Sequence, residues 1–209
     1  IISGINLSGQ EISRKVIDGL TEFVKKMGFG GLGYLKFNKD GTIQSPMTKF
    51  LNEEIISKII NSFNAKEGDT VFILSGERKK VLTSLGAMRI KLALDFKLID
   101  ESRYEFLWVT DFPLFQYDEE EKRFVAEHHV FTSPKDEFLK FLDSRDKDEV
   151  ESIRANCYDL VLNGDEITSG SIRIHKPEIQ KKVFDMIGLS DEEAKMKFGF
   201  MLEAFKYGA

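Results

Sequence analysis

The stretch NGDEITSGSIRIH, residues 163–175, places an acid, a run of small residues, an arginine and a histidine within thirteen positions. Small side chains let a ligand approach the backbone closely. If residues 170–175 are extended, alternation sends Ser171, Arg173 and His175 to one face and Ile172 and Ile174 to the other. An arginine on that polar face is suited to gripping a carboxylate through two parallel N–H bonds, and Glu166 nearby is suited to holding a metal ion or orienting the arginine. A surface strand closed by a salt bridge accounts for the same residues, and the pattern alone leaves both readings standing.

His128 and His129 stand together ahead of Phe131, Thr132, Ser133 and Pro134 and make up two of the three histidines in the chain. Neighbours on a strand point to opposite faces, so the pair is a poor joint ligand set for one zinc. No Cys or carboxylate stands beside them at zinc-site spacing. One of them suits a polar contact in a site; histidines at a strand end, bonded to loop backbone, are the plainer alternative. Other features point away from chemistry. GFGGLG at 28–33 follows a helical pattern rather than a strand and lacks the Lys-Ser/Thr of a phosphate loop, so it reads as a helix stop. The acidic run Asp118, Glu119, Glu120 and Glu121 reads as a solvated hairpin loop, and Arg78, Lys79 and Lys80 as a solubilising helix face.

Several elements must position these residues. Ser8 with Glu11 has the spacing of a capping box, and Ile12, Val16, Leu20, Phe23 and Met27 follow at helical intervals. GYLKF at 33–37 alternates as a strand and is followed by a turn over 38–41. Phe50, Ile55, Ile56, Ile59, Ile60 and Phe63 fall on one helical face, TVFIL at 70–74 reads as a strand, and Val81, Leu82, Leu85, Met88 and Leu92 mark a helix over about 77–96. Residues 1–97 therefore predict a compact α+β domain. From 98 to 209 strands dominate: EFLWVTDFPLF and FVAEHH flank the acidic turn, and YDLVLNG and GSIRIH surround a bend of Gly, Ser and Thr. A polar helix is expected near 135–148. Pro177 opens one closing helix that Gly188 ends, and Ser190 with Glu193 caps another. The overall expectation is α+β with an antiparallel sheet.

The 209 residues, 42% of them hydrophobic with 18 Phe, suffice for a substantial core. Charged residues of both signs are interspersed, and a net charge of −5 with a pI near 5.4 gives no basic face for nucleic acid; any such face is expected outside this segment. One cysteine, Cys157, excludes an internal disulfide and points to a reducing compartment, so a cytoplasmic location is expected. Neither a signal peptide nor a membrane span is legible. An Ile at the start and YGA at the end suggest a piece cut from a longer chain.

Four blocks in order, WVTDFPLF (108–115), HHVFTSP (128–134), YDLVLNGDEITSGSIRIH (158–175) and KFGFMLEAFKYGA (197–209), resemble bacterial-type aspartyl-tRNA synthetase, a class II family. SPMTKFL, GDTVFIL and LGAMRIKLA in the first half resemble the domain, called GAD, that bacterial forms insert into the catalytic core. The resemblance spans essentially the whole chain. It implies an inserted GAD-like domain at 1–97 and, at 98–209, part of an antiparallel-sheet catalytic core without motifs 1, 2 and 3. The implied activity of the parent protein is aspartate–tRNA ligase: aspartate and ATP give aspartyl-adenylate, and tRNA(Asp), with tRNA(Asn) as a second candidate, takes the aspartyl group. Arg173 and His128 are then implied to bind aspartate, with His129 and Ser171 as further candidates, and Glu166 to bind ATP through Mg²⁺. No residue of this segment is implied to act as a catalytic nucleophile, acid or base. The segment alone is expected to be inactive and its parent a homodimer. Asp165 and Val130 stand where many relatives have Tyr and Pro, and Thr168, Ser169 and Gly170 replace a common triple glycine. Two other readings fit parts of the chain: a non-catalytic module that binds tRNA or a partner, and an amidotransferase-subunit relative sharing the inserted domain.

Overall fold

The computed structural model describes residues 1–208, and the chain divides into two compact units, Ile1–Glu101 and the remainder from Ser102. The fold is α+β throughout. In the first unit the order is β1 (Ile2–Leu7), α1 (Arg14–Lys26), β2 (Gly33–Phe37), β3 (Ile43–Gln44), α2 (Glu53–Phe63), β4 (Thr70–Ser75) and α3 (Arg78–Asp95). The four strands form one antiparallel sheet in the order β1-β4-β2-β3. Leu20 and Val24 of α1, Phe72 and Leu74 of β4, and Val81, Leu85, Met88 and Leu92 of α3 make its main core.

One strand of this half was not foreseen, and three expectations need correction. The segment ISGINL is a strand, legible only through its pairing with the buried TVFIL of β4. Ser8 does not cap α1. Its hydroxyl and the Gly9 N–H turn to Asp69, at 3.4 Å and 3.0 Å, and Ser13 caps the helix by accepting from Val16 N. The apolar face assigned to α2 is too wide: Phe50 lies ahead of the helix in a 3-10 turn and is 83% exposed, and Ile55 is also exposed. Ile59, Ile60 and Phe63 do pack, against Leu35, Phe37 and Val71. Leu82 of α3 likewise faces outward, away from the buried Val81 and Leu85.

Asp69 ties this unit together. Burial works against its charge, but donors from Asn6 Nδ2 (2.9 Å), Lys66 N (3.0 Å), Gly9 N (3.0 Å) and Ser8 Oγ (3.4 Å) outweigh burial and hold its carboxyl below the usual carboxylate range. A depressed folded value stabilises the fold above the unfolded pKa of about 3.9, and that contribution is lost as the pH falls through the folded value. Asp69→Asn is therefore expected to cost about 1–3 kcal/mol at neutral pH and to flatten the loss of stability on acidification. Urea midpoints measured from pH 7 downward test this; parallel profiles for the two proteins would contradict it.

In the second unit the elements are β5 (Phe106–Val109), β6 (Phe115–Asp118), β7 (Arg123–Ala126), α4 (Lys147–Ser152), β8 (Cys157–Leu162), β9 (Asp165–Ser171), α5 (Pro177–Met186) and α6 (Asp191–Phe205). The expected pair of EFLWVTDFPLF with FVAEHH is met only in part. The first segment splits into β5, which pairs with β8, and β6, which alone forms the hairpin with β7 around the acidic turn. Asp118 closes that hairpin by accepting from Glu120 N and Glu121 N. The sheet β5-β8-β9 is antiparallel. Its bend lies at Asn163 and Gly164, both with positive φ, and not in the Gly/Ser/Thr run. A two-residue turn of that kind matches the twist of the strands it joins, so Thr168, Ser169 and Gly170 become strand residues. The expected polar helix is split into a 3-10 segment, Asp136–Asp143, and α4, which Asp146 caps. The Ser190–Glu193 capping box is present, and Pro177 stands in the first turn of α5. Phe131 is fully buried, with ring contacts to Phe184, Phe198 and Phe205. Among the described residues no helix is long and apolar enough to cross a membrane.

Candidate functional site

The sheet and the loop after β7 enclose a cleft of about 300 Å³. His128, His129, Glu166, Ser171 and Arg173 all line it, together with Thr132, Cys157, Asp159, Ser169 and Gly170. Two features of the backbone bring them there.

The first is a bulge. Cys157 pairs with Ser171 and Asp159 with Ser169, so these four share one face of the sheet. Strict alternation would send Glu166 to the opposite face. Between Leu160 and Val161 the register shifts, and Ile167 becomes the extra residue opposite the pairs Leu160–Thr168 and Val161–Glu166. The additional residue restores the phase and turns Glu166 toward the cleft. Gly170 is needed on the other face, because a Cβ there would lie 2.5 Å from the hydroxyl oxygen of Tyr158.

The second is the histidine loop. Phe131, Thr132 and Ser133 run alongside Ile172, Arg173 and Ile174: Thr132 bridges Arg173, Ser133 N donates to Ile172 O at 2.8 Å, and Ile174 N donates to Phe131 O at 2.8 Å. β9 itself ends at Ser171, so the strand expected to run to His175 is completed by this loop instead. Two side-chain expectations change with it. Ile172 is 61% exposed while Ile174 is buried, and His175 leaves the cleft for a separate cavity. Arg173 keeps its place.

The histidines sit in different surroundings. The His129 ring stacks on Phe131, with centroids 5.3 Å apart, and its Nδ1 accepts from Phe131 N at 3.3 Å, the loop-backbone bond that was one of its two readings. Burial pushes its pKa down and the Arg173 charge adds to that, so the ring is neutral at pH 7 with its proton on Nε2, a donor. His128 packs edge-on against Phe112 at 4.8 Å, and its Nε2 is buried without a hydrogen-bond partner. Arg173 Nη1 is also buried without a partner among the described residues. A buried guanidinium donor lacking an acceptor is costly unless a ligand supplies one, and a carboxylate is the natural fit.

Asp159 and Cys157 were not identified from sequence as site residues, although alternation along CYDLVL already sets the two on one face. Burial, then the charge of Asp159, pushes the Cys157 thiol up, which leaves it protonated and a poor nucleophile. Asp159 and Glu166 are the two carboxylates of the cleft. No group of three or more His, Cys, Asp or Glu among the described residues is arranged to hold a metal. Mg²⁺ bound to a nucleotide needs only one or two protein carboxylates, with phosphates and water completing its shell, so the pair fits that ion and not a zinc.

The chain matches the family model described as tRNA synthetases class II (D, K and N) over residues 10–209. It is 50% identical over 209 residues to the aspartate–tRNA(Asp/Asn) ligase of Caldanaerobacter subterraneus subsp. tengcongensis, covering 100% of this chain and 34% of that protein. Similarity of the same order relates it to the aspartate–tRNA(Asp/Asn) ligase of Persephonella marina, 50% over 212 residues and 35% of that protein, and to the aspartate–tRNA ligase of Halalkalibacterium halodurans, 49% over 210 residues and 34%. In each case all of this chain is covered, and it spans about a third of the relative's length.

Proposed function

Because the chain belongs to the class II tRNA synthetase family of the D, K and N type, we propose that its cleft is the aspartate-binding half of an ATP-dependent aspartate-activating site. The observation that carries this reading is Arg173, a partly buried cation with one guanidinium nitrogen unpaired, beside His128 and His129. Arg173 grips the side-chain carboxylate of aspartate. His128 offers Nε2, His129 donates from Nε2 as a neutral ring, and Ser171 adds a hydroxyl on the same face. The α-carboxylate then attacks the α-phosphorus of ATP; a new P–O bond forms to aspartate as the bond to pyrophosphate breaks, giving aspartyl-adenylate. A terminal ribose hydroxyl of tRNA(Asp), or of tRNA(Asn), takes the aspartyl group and releases AMP.

In this reading Glu166 binds ATP through Mg²⁺, supported by its position in the cleft with Asp159 beside it on the sheet face. When bound, the ion neutralises phosphate charge. Everything the chain itself contributes is positioning and charge complementarity, with no covalent enzyme intermediate. Among the described residues Arg173 is the one cation lining the cleft, against two carboxylates, too few to hold a triphosphate. The 209-residue chain alone is therefore proposed to be inactive, with residues 1–97 as an inserted GAD-like domain and 98–209 as part of the catalytic core. The parent protein is proposed to be a cytoplasmic homodimer.

The deciding experiment is exchange of labelled pyrophosphate into ATP by the complete reading frame. Exchange that requires aspartate and is not supported by asparagine is expected. A complete protein inert with both amino acids would end the activation reading and favour a tRNA-binding module.

A further inference from the structure

Behind the cleft, α5 and α6 enclose a second cavity of about 210 Å³. Its walls are apolar: Ile174, Phe184, Ala194, Leu202 and Phe205. A cavity of about 150 Å³ already accepts a benzene ring, so this one has room for two fused rings. One wall is polar. Gln180 is only 3% exposed; its Nε2 donates to Val130 O at 2.9 Å, and its Oε1 is buried with no donor among the described residues. The mouth is basic, with Lys176, Lys181 and Lys206 against the single carboxylate of Asp191. Lys181 pairs with Asp191 and Lys206 with Glu203, while Lys176 forms no ion pair among the described residues.

From these features we propose that the α5–α6 cavity is a binding site for a one- or two-ring aromatic acid whose ring carries an N–H or O–H donor. The ring lies between Phe184, Leu202 and Phe205, its donor meets Gln180 Oε1, and its carboxylate sits at the mouth beside Lys176. Size, apolar lining, the orphaned acceptor and the charge of the mouth together select this class of molecule. The cavity also shares its wall with the aspartate site. Arg173 lines the cleft while the next two residues, Ile174 and His175, line the cavity, and Gln180 holds the carbonyl of Val130, the residue after His129. Occupancy is therefore read at the histidine loop.

The test is titration of indole-3-acetate into the isotopically labelled full chain, followed by NMR. Saturable shifts are expected at the Gln180 side-chain amide, the Ala194 methyl and the His129 ring. 1-Methylindole-3-acetate, which lacks the ring donor, should bind roughly tenfold more weakly because it leaves Oε1 unpaired. Lys176→Met, a surface change that leaves the core intact, should weaken indole-3-acetate several-fold, and Ala194→Phe, which fills the cavity, should abolish the shifts. Absence of saturable shifts in the wild type, or equal binding of the two probes, would overturn the proposal. The readout is binding, so neither result depends on whether the parent protein activates aspartate.

Discussion

Replacing Arg173 by alanine in the complete protein is expected to lower kcat/KM for aspartate in pyrophosphate exchange by about 10⁴-fold, the scale on which a site built around one polar partner fails when that pairing is lost. At 1.36 kcal/mol per tenfold, this is roughly 5 kcal/mol of transition-state stabilisation. The size of the effect comes from burial. Arg173 Nη1 is shielded from solvent and has no hydrogen bond among the described residues, so the substrate carboxylate is its proposed acceptor, and water cannot substitute for it cheaply. Arg173→Lys keeps the charge but loses the two-pronged geometry, and should recover only a small part of the activity. The KM for ATP should change far less than that for aspartate. A loss of under tenfold in the alanine variant, with the fold retained, would remove Arg173 from the role assigned to it.

Phe131→Ala should destabilise the second unit by about 3–5 kcal/mol, the range for deleting a fully buried aromatic side chain. Phe131 is 0% exposed and meets Phe184, Phe198 and Phe205 edge-on, so the vacated space is bounded by three rings on α5 and α6 that cannot all close inward. The functional consequence follows from the same packing. Phe131 also supports the His129 ring and, through its carbonyl, the N–H of Ile174 beside Arg173. Urea denaturation would show the lowered midpoint, and Phe131→Leu should lie between the two proteins. A cost under about 1 kcal/mol would mean that the loop is not anchored by this ring.

Both predictions rest on residues whose importance was unevenly legible. Arg173 and Glu166 stood out as an arginine and an acid flanking small residues, a pattern that a surface salt bridge also fits, and the four motif blocks carried the family. Helix ends such as Ser190–Glu193 and the positive-φ pair Asn163–Gly164 are also local matters, settled by capping hydrogen bonds and by which residues tolerate a left-handed backbone. The Asn-Gly pair was nevertheless read as the end of the strand YDLVLNG and the bend was placed in the Gly/Ser/Thr run after it, since glycine has little β propensity of its own.

By itself the sequence determined the α+β class, most of the element order, the hairpin around the acidic turn and the presence of Arg173 on a polar face, because these follow from periodicity and short-range sterics. Long-range contacts decided the rest. Ser8 looked like a cap until Asp69, sixty-one residues away, claimed it. Strand β1 exists because β4 pairs with it. Glu166 joins the cleft only because β8 and β9 slip by one residue at Ile167, a choice made by pairing and not by any residue's own preference. Asp159 and Ser169 become neighbours through the same register, and the loop that sets His128 and His129 beside Arg173 is held by hydrogen bonds to residues some forty positions on. Such contacts depend on which chain segments meet in three dimensions, and no local window of sequence contains them.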